Sequence, residues 1–297
     1  MTDSAIKITF LICIENKKLM FCISVKGRKM TKVSIIMSTY NCKDGISLEK
    51  SVLSIINQSF SDWEFIIYND GSTDNGKTSN FLKKISKLDA RIKIIDCHEN
   101  YGLAYAKNQM LKECKGEYIT AQDDDDLSHP MRLEKEVDFL DSNLEYDFVG
   151  TVATVFDSKG TWGHYDLEEK PNKNSFLWNS PFLHPSVMFR KEVLEDVDGY
   201  RVSKETMRAE DYDLFFRLYA KGYKGYNLQE DLYEYRIENN LDKKYRPMKD
   251  RVQEAKVRYQ GFKAFGILLK GLPYIIKPIL IGLIPQKIFY VIRKSRY

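Results

Sequence analysis

The sequence predicts an α/β fold, with a Rossmann-like, mostly parallel sheet flanked by helices and a basic, amphipathic helical tail at the C-terminal end. Three observations lead to this prediction. Short apolar runs alternate with stretches whose apolar residues recur at helical spacing, a pattern typical of parallel strands joined by crossover helices. Acidic segments directly follow two of the apolar runs. From residue 241 onward, 14 Lys and Arg stand against only 3 Asp and Glu.

The first half of the chain contains four predicted strands separated by three predicted helices. Each strand is a short run rich in β-branched residues, as expected for buried parallel strands. The strands cover 33–38, 64–68, 92–96 and 117–120, and the helices cover about 48–56, 81–88 and 103–114. Because parallel neighbours need crossover connections, this order predicts a sheet whose first strands all end at the same edge.

The second half is predicted to extend the same domain with fewer regular elements. A helix, two strands and a strongly amphipathic helix are indicated, in that order, over 131–140, 148–156, 187–190 and 210–220. The intervening residues 157–185 show no clear periodicity, so we expect them to be irregular.

We predict three parts in the 297 residues: an extension at 1–30, a domain at 31–240 and a tail at 241–297. Neither apolar run of the extension is long enough to span a membrane. Met30 directly precedes the first predicted strand and is a possible true start, whereas an N-terminal strand or amphipathic anchor is the alternative. The five cysteines are odd in number and lack metal-ligand spacing, which favours free thiols in a reducing, cytoplasmic compartment.

Acidic side chains follow the second and the fourth predicted strand. Asp70 lies in the turn-forming segment 69–74 (NDGSTD), and Asp123, Asp124, Asp125 and Asp126 come directly after the fourth strand. Ligands of such sheets bind outside the carboxyl ends of the strands. Clustered carboxylates suit Mg²⁺ or Mn²⁺, which is bound by one or two carboxylates together with substrate phosphates. The alternative is a surface acidic turn that caps the following helix.

The chain contains neither a P-loop nor a Gly-rich dinucleotide fingerprint. It does contain six short motifs in a fixed order, and together they resemble the family 2 glycosyltransferases of the A-type fold over about residues 31–240. The motifs are 33–41 (VSIIMSTYN), 69–74 (NDGSTD), 100–102 (NYG) with Lys107 and Asn108, 116–119 (GEYI) with 123–126 (DDDD) and Pro130, 184–190 (HPSVMFR), and 210–211 (ED).

The resemblance implies a role for each matching residue. Asp211 is expected to be the catalytic base, and Asp125 with Asp123 is expected to bind the metal. The residues expected to bind the nucleotide and donor are Thr39, Tyr40, Asp70, Lys107, Asp123 and Asp124. The residues expected on the acceptor side are His184, Glu210 and Trp178. Two positions depart from the family pattern, because Asn69 replaces a common Asp and Lys107 stands where Arg is frequent. Lys keeps the charge for a phosphate but loses the bidentate geometry of Arg.

The residues also allow simpler interpretations. An acid at the start of a helix, such as Asp211, is favoured by the helix dipole alone. Asp70 could be a turn residue that binds its own backbone. His184 could be a buried structural histidine, and Trp178 could pack in a loop rather than stack on a sugar.

The predicted function is therefore inverting, metal-dependent transfer of a sugar from a nucleotide-diphosphate donor, with a UDP-sugar as the commonest case, to an acceptor hydroxyl. The setting implied is the assembly of bacterial-type surface polysaccharide or of lipid-linked oligosaccharide. A nucleotidyltransferase is a second interpretation, although it would need a basic, Gly-rich loop after the first strand. A non-catalytic sugar- or lipid-binding scaffold is a third, and it would need to keep neither Asp125 nor Asp211.

The tail combines apolar residues with a regular series of lysines. These recur every seven residues, at Lys249, Lys256, Lys263, Lys270 and Lys277, so a helix would place them along one stripe. Gly271, Pro273 and Pro278 are expected to prevent one continuous helix. Broken amphipathic helices with a basic face predict peripheral attachment to an anionic membrane surface, here the cytoplasmic face. A tail packed on the domain is the alternative, and no nucleic-acid partner is expected.

Overall fold

A computed structural model describes residues 31–42, 45–238 and 246–284, together with the backbone of two strands further upstream. These are β1 (Ile8–Glu15) and β2 (Lys18–Val25), which pair with each other in antiparallel orientation. The predicted extension thus contains a two-stranded hairpin in its backbone. Met30, and with it the predicted start, lies outside the described residues.

The first half of the domain forms one parallel edge of the main sheet. Its strands are β3 (Val33–Thr39), β4 (Trp63–Asp70), β5 (Ile92–Cys97) and β6 (Tyr118–Ala121). The helices between them are α1 (Gly45–Ile56), α2 (Lys77–Ile85) and α3 (Leu103–Glu113). The strands lie in the order β5-β4-β3-β6 and all three neighbouring pairs are parallel. The predicted alternation of strands and helices is confirmed.

The second half continues this sheet with antiparallel strands. Its elements are β7 (Leu127–Ser128), α4 (Arg132–Ser142), β8 (Phe148–Asp157), β9 (Gly160–Tyr165), a 3₁₀ turn (His184–Ser186), β10 (Met188–Arg190), α5 (Lys191–Asp196), α6 (Glu210–Lys221) and β11 (Gly225–Arg236). The order runs on from β6 as β10-β8-β11-β7, with β9 paired to β8. Only β8 and β11 are parallel here, so the sheet as a whole is mixed and the α/β class is confirmed.

Three strands of this half were not predicted, and the shortest of them is the two-residue β7. β9 lies inside the region expected to be irregular, and it follows β8 after only two residues, a connection that joins antiparallel neighbours. β11 pairs with β8, but its register shifts between Leu228, Asp231 and Tyr233. Because a bulge moves the following side chains to the other face, the period-two pattern that would reveal this strand is interrupted.

The sheet has a hydrophobic core on each face. Alternate residues of the central strands contribute to the two cores, with Ile36 and Ile66 on one face and Ile35 and Phe65 on the other. Helices α3 and α6 cover the first face, and α1, α2 and α4 cover the second. Because helices cover both faces of the sheet, β3 is almost entirely buried and its central residues are apolar on both faces.

The tail forms two helices, α7 (Met248–Ala264) and α8 (Leu268–Leu283). The predicted break exists, but at Gly266, which adopts a positive φ of 73° and ends α7. The expectation that Pro273 and Pro278 would interrupt the helix is wrong, because both lie inside α8. One side of α8 is buried at Gly271, Pro278 and Gly282, and this packing offsets the hydrogen bond that Pro278 cannot donate, whereas Pro273 is exposed.

The tail helices pack on the domain. Phe262 of α7 is fully buried and contacts Phe216 of α6, with the ring centroids 5.4 Å apart. The lysine series is divided between α7 and α8 and therefore does not form one stripe along a single helix. Lys270 and Lys277 of α8 donate hydrogen bonds to the loop that contains Asn174 and Asn179. In the described part of the chain, no helix is long and apolar enough to cross a membrane.

Candidate active site

The carboxyl ends of β3, β4 and β6 lie side by side and bring the donor-side residues together. Thr39, the last residue of β3, donates its hydroxyl to Oδ2 of Asp124 over 2.5 Å. The same Thr39 pairs in register with Asn69 of β4. Tyr40 follows directly and is 47% exposed. Residues from three segments distant in sequence therefore meet at one edge of the sheet, as their positions after the strands predict.

Asp70, at the end of β4, is buried and faces the start of α3. Its two carboxylate oxygens accept hydrogen bonds from the backbone N–H groups of Tyr101 and Gly102, each over 3.0 Å. These N–H groups belong to the N-cap residue Gly102 and to the residue before it, and so lie at the positive end of the helix dipole, which favours a negative charge. The predicted contact of Asp70 with the donor would thus add to a contact that already orders the N-terminus of α3.

The four aspartates after β6 fall into different environments. Asp126 is fully buried and accepts hydrogen bonds from the Tyr233 hydroxyl, over 2.9 Å, and from the backbone N–H of Arg236, over 2.7 Å. Asp123 and Asp124 are partly buried, whereas Asp125 is exposed. Asp126 therefore anchors the acidic loop to β11, and the other three side chains lie nearer the surface.

Burial of the acidic loop favours the protonated forms of its side chains. Burial raises the pKa of Asp123 to about 7, and the neighbouring carboxylates Asp125 and Asp124 add to this effect while Lys107 opposes it. Burial also raises the pKa of Asp124 to about 6, against the hydrogen bond from Thr39. A cation bound near these carboxyls would therefore favour their ionised forms.

A divalent cation fits this loop. Its donors are hard carboxylate oxygens, the type that Mg²⁺ and Mn²⁺ prefer, and an added positive charge would relieve the repulsion. Among the described residues, no group of three or more His, Cys, Asp or Glu side chains is arranged to hold a metal by itself. One or two carboxylates completed by substrate phosphates are the usual arrangement for Mg²⁺, and Asp123 and Asp125 offer that number.

Asp211, the predicted base, lies in the first turn of α6. Its Oδ1 accepts a hydrogen bond from the N–H of Tyr212 over 2.7 Å. Burial, and next the adjacent Glu210, raise the pKa of Asp211 to about 6, and Lys107 opposes both. A carboxyl with a pKa near 6 can accept a proton at neutral pH more readily than an ordinary aspartate.

Lys107 and Glu210 form a buried ion pair beside this base. The distance from Lys107 Nζ to Glu210 Oε1 is 3.3 Å, and the two side chains are 7% and 9% exposed. Lys107 also lies over the ring of Tyr200, 4.9 Å from its centroid. Because Lys107 influences the pKa of both Asp123 and Asp211, it is the cation shared by the acidic loop and the predicted base. Glu210, which is predicted on the acceptor side, is thus buried in an ion pair.

His184 is buried and close to the same cluster. Its Nε2 lies 2.8 Å from the hydroxyl oxygen of Tyr200. Burial, together with the charges of Lys107 and Arg132, holds the pKa of His184 well below its usual range, so the ring is neutral at pH 7. His184 thus hydrogen-bonds to Tyr200 behind Lys107, an arrangement that agrees with the structural interpretation as well as with a site role.

Two residues near the site were missed by the sequence analysis. Tyr200 links His184 to Lys107, and its backbone N–H and C=O are both bound by the Asn108 side chain, over 2.8 and 2.7 Å. Arg132 is completely buried and donates to the side chain of Gln122 and to the backbone oxygen of Pro185, and so ties the acidic loop to the His184 segment. Neither belongs to a recognisable motif, since both act through contacts between distant segments.

Trp178 lies in the loop between β9 and the 3₁₀ turn and is 54% exposed. The Nζ of Lys277 is 3.7 Å from the centroid of its ring, and Tyr274 lies edge-on to the ring at 6.4 Å. The exposed ring is thus held by the tail helix α8 and not buried in the core. A half-exposed aromatic ring of this kind can stack on a sugar.

Comparisons with known proteins agree with this geometry. The family described as glycosyl transferase family 2 matches residues 34–198. EpsE of Bacillus subtilis (strain 168), which carries a glycosyltransferase name, is 37% identical over 266 residues, covering 89% of this chain and 94% of that protein. The O-antigen biosynthesis glycosyltransferase WbnJ of Escherichia coli is 32% identical over 222 residues, covering 73% of this chain and 84% of that protein. An Escherichia coli protein named UDP-Gal:alpha-D-GlcNAc-diphosphoundecaprenol beta-1,3-galactosyltransferase is 28% identical over 240 residues. The match covers 78% of this chain and 84% of that protein.

Solved structures match the fold. S. aureus TarS 1–349 in complex with UDP-GlcNAc aligns with a TM-score of 0.63 and 21% identity, over 83% of this chain and 73% of that chain. This chain spans 43% of a longer TarS chain. The mannosyltransferase PcManGT from Pyrobaculum calidifontis, in complex with GDP-Man and Mn2+, aligns with a TM-score of 0.61 and 18% identity, over 89% and 75%. The predicted A-type fold is confirmed, and the chain belongs to glycosyl transferase family 2 and is a glycosyltransferase.

Proposed function

We propose that this glycosyltransferase adds a single sugar, with inversion, from a UDP-sugar to an acceptor hydroxyl and uses Mg²⁺ or Mn²⁺. One observation carries the proposal: the buried ion pair between Lys107 and Glu210, 3.3 Å apart, lies beside Asp211, and the charge of Lys107 also acts on the acidic loop that contains Asp123. A base for the acceptor and a binding site for the donor diphosphate thus belong to one electrostatic cluster.

In the proposed reaction, Asp211 accepts the proton of the acceptor hydroxyl as its oxygen bonds to the anomeric carbon. The bond between that carbon and the donor phosphate oxygen breaks in the same displacement, and the nucleoside diphosphate leaves. The scheme requires no nucleophilic side chain. Lys107 lowers the pKa of Asp211 and so keeps part of it ionised near neutral pH.

On the donor side, Asp125 and Asp123 would hold the metal, which neutralises charge that develops on the leaving diphosphate. Asp124, fixed by Thr39, would contact the donor beside them. Tyr40 and Asp70 would line the nucleotide pocket at the ends of β3 and β4. The UDP-GlcNAc complex of TarS and the Mn2+ complex of PcManGT support this assignment of donor and metal.

The proposed acceptor is a glycan or a lipid-linked saccharide on the cytoplasmic face of the membrane. The names of the O-antigen glycosyltransferase and of the diphosphoundecaprenol galactosyltransferase support this class of acceptor. His184 and Trp178 would lie on the acceptor side, with the half-exposed Trp178 ring available to stack on a sugar.

The test is binding and hydrolysis of a panel of nucleotide sugars with Mn²⁺, Mg²⁺ or EDTA. We expect one donor to bind only with metal, Asp125→Ala to lose that binding, and Asp211→Asn to bind without turnover. If no nucleotide sugar binds under any condition, the chain acts as a scaffold. If Asp211→Asn turns over at the wild-type rate, Asp211 is not the base.

We further propose that α8 attaches the enzyme to an anionic membrane surface. Its exposed apolar residues are three or four positions apart and therefore share one face of the helix. They are Leu269, Leu272, Ile276, Leu280 and Leu283, and their exposed fractions lie between 45% and 84%. The excess of basic residues after position 240 complements anionic lipid headgroups. An apolar helix face next to basic residues is typical of helices that lie in the membrane interface.

Vesicle flotation tests this attachment. Removing the whole tail would also disturb the core, because α7 contributes to it. The test therefore replaces only Leu272 and Ile276 with Glu. We expect this double variant to lose flotation with anionic vesicles, whereas Leu144→Glu, at a leucine that is 79% exposed outside the tail, still floats. Undiminished flotation of the double variant would refute the role of this face.

A further inference from the structure

The loop segment 176–179, which carries Trp178, is held by side chains of the tail. Arg258 of α7 donates to the backbone oxygens of Leu177, over 3.1 Å, and of Trp178, over 3.2 Å. Lys277 of α8 also donates to the backbone oxygen of Trp178 and, over 3.1 Å, to Oδ1 of Asn179. The segment lies in no helix or strand, so these side chains supply hydrogen bonds that regular structure would otherwise provide.

Arg258 is itself fixed in place. Its side chain is 2% exposed and forms an ion pair with Glu254 at 2.8 Å. Its guanidinium group lies over the ring of Tyr212, 5.0 Å from the centroid, and its Nη1 is 3.4 Å from the Tyr212 hydroxyl. A buried, paired guanidinium offers several donors in one rigid plane, so it can hold adjacent carbonyl groups in a defined geometry.

Tyr212 connects the loop and Arg258 to the predicted base, Asp211. The Tyr212 hydroxyl donates to the backbone oxygen of Phe176, the residue before Leu177. Tyr212 directly follows Asp211, and its N–H donates to the carboxylate of Asp211. Three consecutive backbone oxygens of the loop are therefore bound by Tyr212 and Arg258, and both residues adjoin the turn that places Asp211.

We propose that Arg258 is a positioning residue for the acceptor, which holds segment 176–179 against Tyr212 and thereby fixes Trp178 relative to Asp211. The inference rests on the proposed function for the role of Asp211. It assigns to the tail, beyond membrane attachment, the task of shaping the acceptor side. The donor side has no direct part in these contacts, because the bonds of Thr39 and Asp70 are made to other segments.

Arg258→Lys is the primary variant. Lys keeps the positive charge for Glu254 but cannot reach two carbonyl groups with one planar group. With p-nitrophenyl glycosides as acceptor probes and the donor found in the panel, we expect the KM for the acceptor to rise at least about fivefold. Equilibrium binding of UDP is expected to stay within about twofold of the wild type, since no donor contact changes.

Arg190→Lys is the matched control. Arg190 also donates to two backbone oxygens, those of Tyr146 and Leu140, and lies over a tyrosine ring, but none of these contacts belongs to the loop. A comparable loss of thermal stability without a change in acceptor KM is expected for this variant. A rise in acceptor KM in both variants would show that any weakening of the fold has this effect, and would overturn the proposal.

A readout independent of activity follows Trp178 directly. The chain has three tryptophans, so labelling with 5-fluorotryptophan yields three ¹⁹F signals, and Trp178→Phe identifies the one from the loop. We expect Arg258→Lys to shift or broaden that signal and to leave those of Trp63 and Trp162 unchanged. An unchanged Trp178 signal in folded Arg258→Lys would refute the inference.

A second variant covers the case in which Arg258→Lys does not fold. Lys277→Met removes a partly exposed side chain that contacts the same loop, and we expect a smaller change of the Trp178 signal in the same sense. If that signal does not change either, the tail does not position the loop. If no donor is turned over even by the wild type, the proposed function fails, while the ¹⁹F signals still decide whether Arg258 orders the loop.

Discussion

Replacing Glu210 by Gln should lower the pKa of the base and shift the pH dependence of the reaction. Glu210 is adjacent to Asp211 and pairs with Lys107 over 3.3 Å. Gln keeps the shape of the side chain and an oxygen that can accept a hydrogen bond from Lys107, but it removes the negative charge. Lys107, no longer neutralised by Glu210, then acts more strongly on Asp211.

The size of the shift follows from the cluster. The pKa of Asp211 is raised from 3.8 to about 6, and burial is the largest cause, with Glu210 second. The whole shift corresponds to about 3 kcal/mol, of which less than half belongs to Glu210. Its removal should therefore lower the pKa by up to about one unit, and the freed charge of Lys107 acts in the same direction.

The lower pKa of Asp211 should shift the pH dependence of the rate to lower pH. A general base acts in its deprotonated form, so the wild-type rate should rise through pH 6 and level off above it. In Glu210→Gln this rise should move to about pH 5, and the plateau should fall by about threefold because a weaker base accepts the proton less readily.

The assay is kcat/KM for the donor and acceptor against pH, since this ratio reports the pKa values of the free enzyme. Glu195→Gln, which neutralises an acid that is 65% exposed and belongs to α5, should leave the profile unchanged. Asp211→Asn should lose about 10²–10⁴-fold in rate at every pH. An acidic limb that stays at pH 6 in Glu210→Gln, or moves upward, would refute the coupling between these two carboxyl groups.

Three further changes have outcomes that the structure predicts. Arg132→Met leaves Glu136, its completely buried partner at 3.0 Å, without a cation and should lower the free energy of unfolding by about 3–5 kcal/mol in urea titrations. Thr39→Val removes the hydrogen bond that lowers the pKa of Asp124, so this pKa should rise above about 6 and calorimetry should show weaker metal-dependent donor binding at pH 6 than at pH 8. Gly261→Ala would place a Cβ 2.3 Å from an aromatic ring of α6 and should cost about 1–3 kcal/mol, seen as a lower Tm.

The order of strands and helices in the first half of the domain was predictable from the amino-acid pattern alone. Apolar periodicity is a local property, and β3, β4, β5 and β6 were all recognisable from it. The edge at which Asp70 and the acidic loop meet was also predictable, because parallel strands joined by crossovers end on the same side. The ordered motifs then identified the family before any contact was known.

The contacts that those residues make depend on how distant parts of the chain pack together. Lys107, which is predicted to bind the donor, also pairs with Glu210, a carboxylate 103 positions away in the chain. Asp126 is held by Tyr233 and Arg236 of β11, a strand whose bulge interrupts the period-two pattern. The prolines of α8 lie inside a helix because packing on α7 outweighs their intrinsic preference. Hydrogen bonds between distant segments, such as those of Arg258, depend on which segments come together in the folded chain. The local periodicity of the sequence does not specify these pairings.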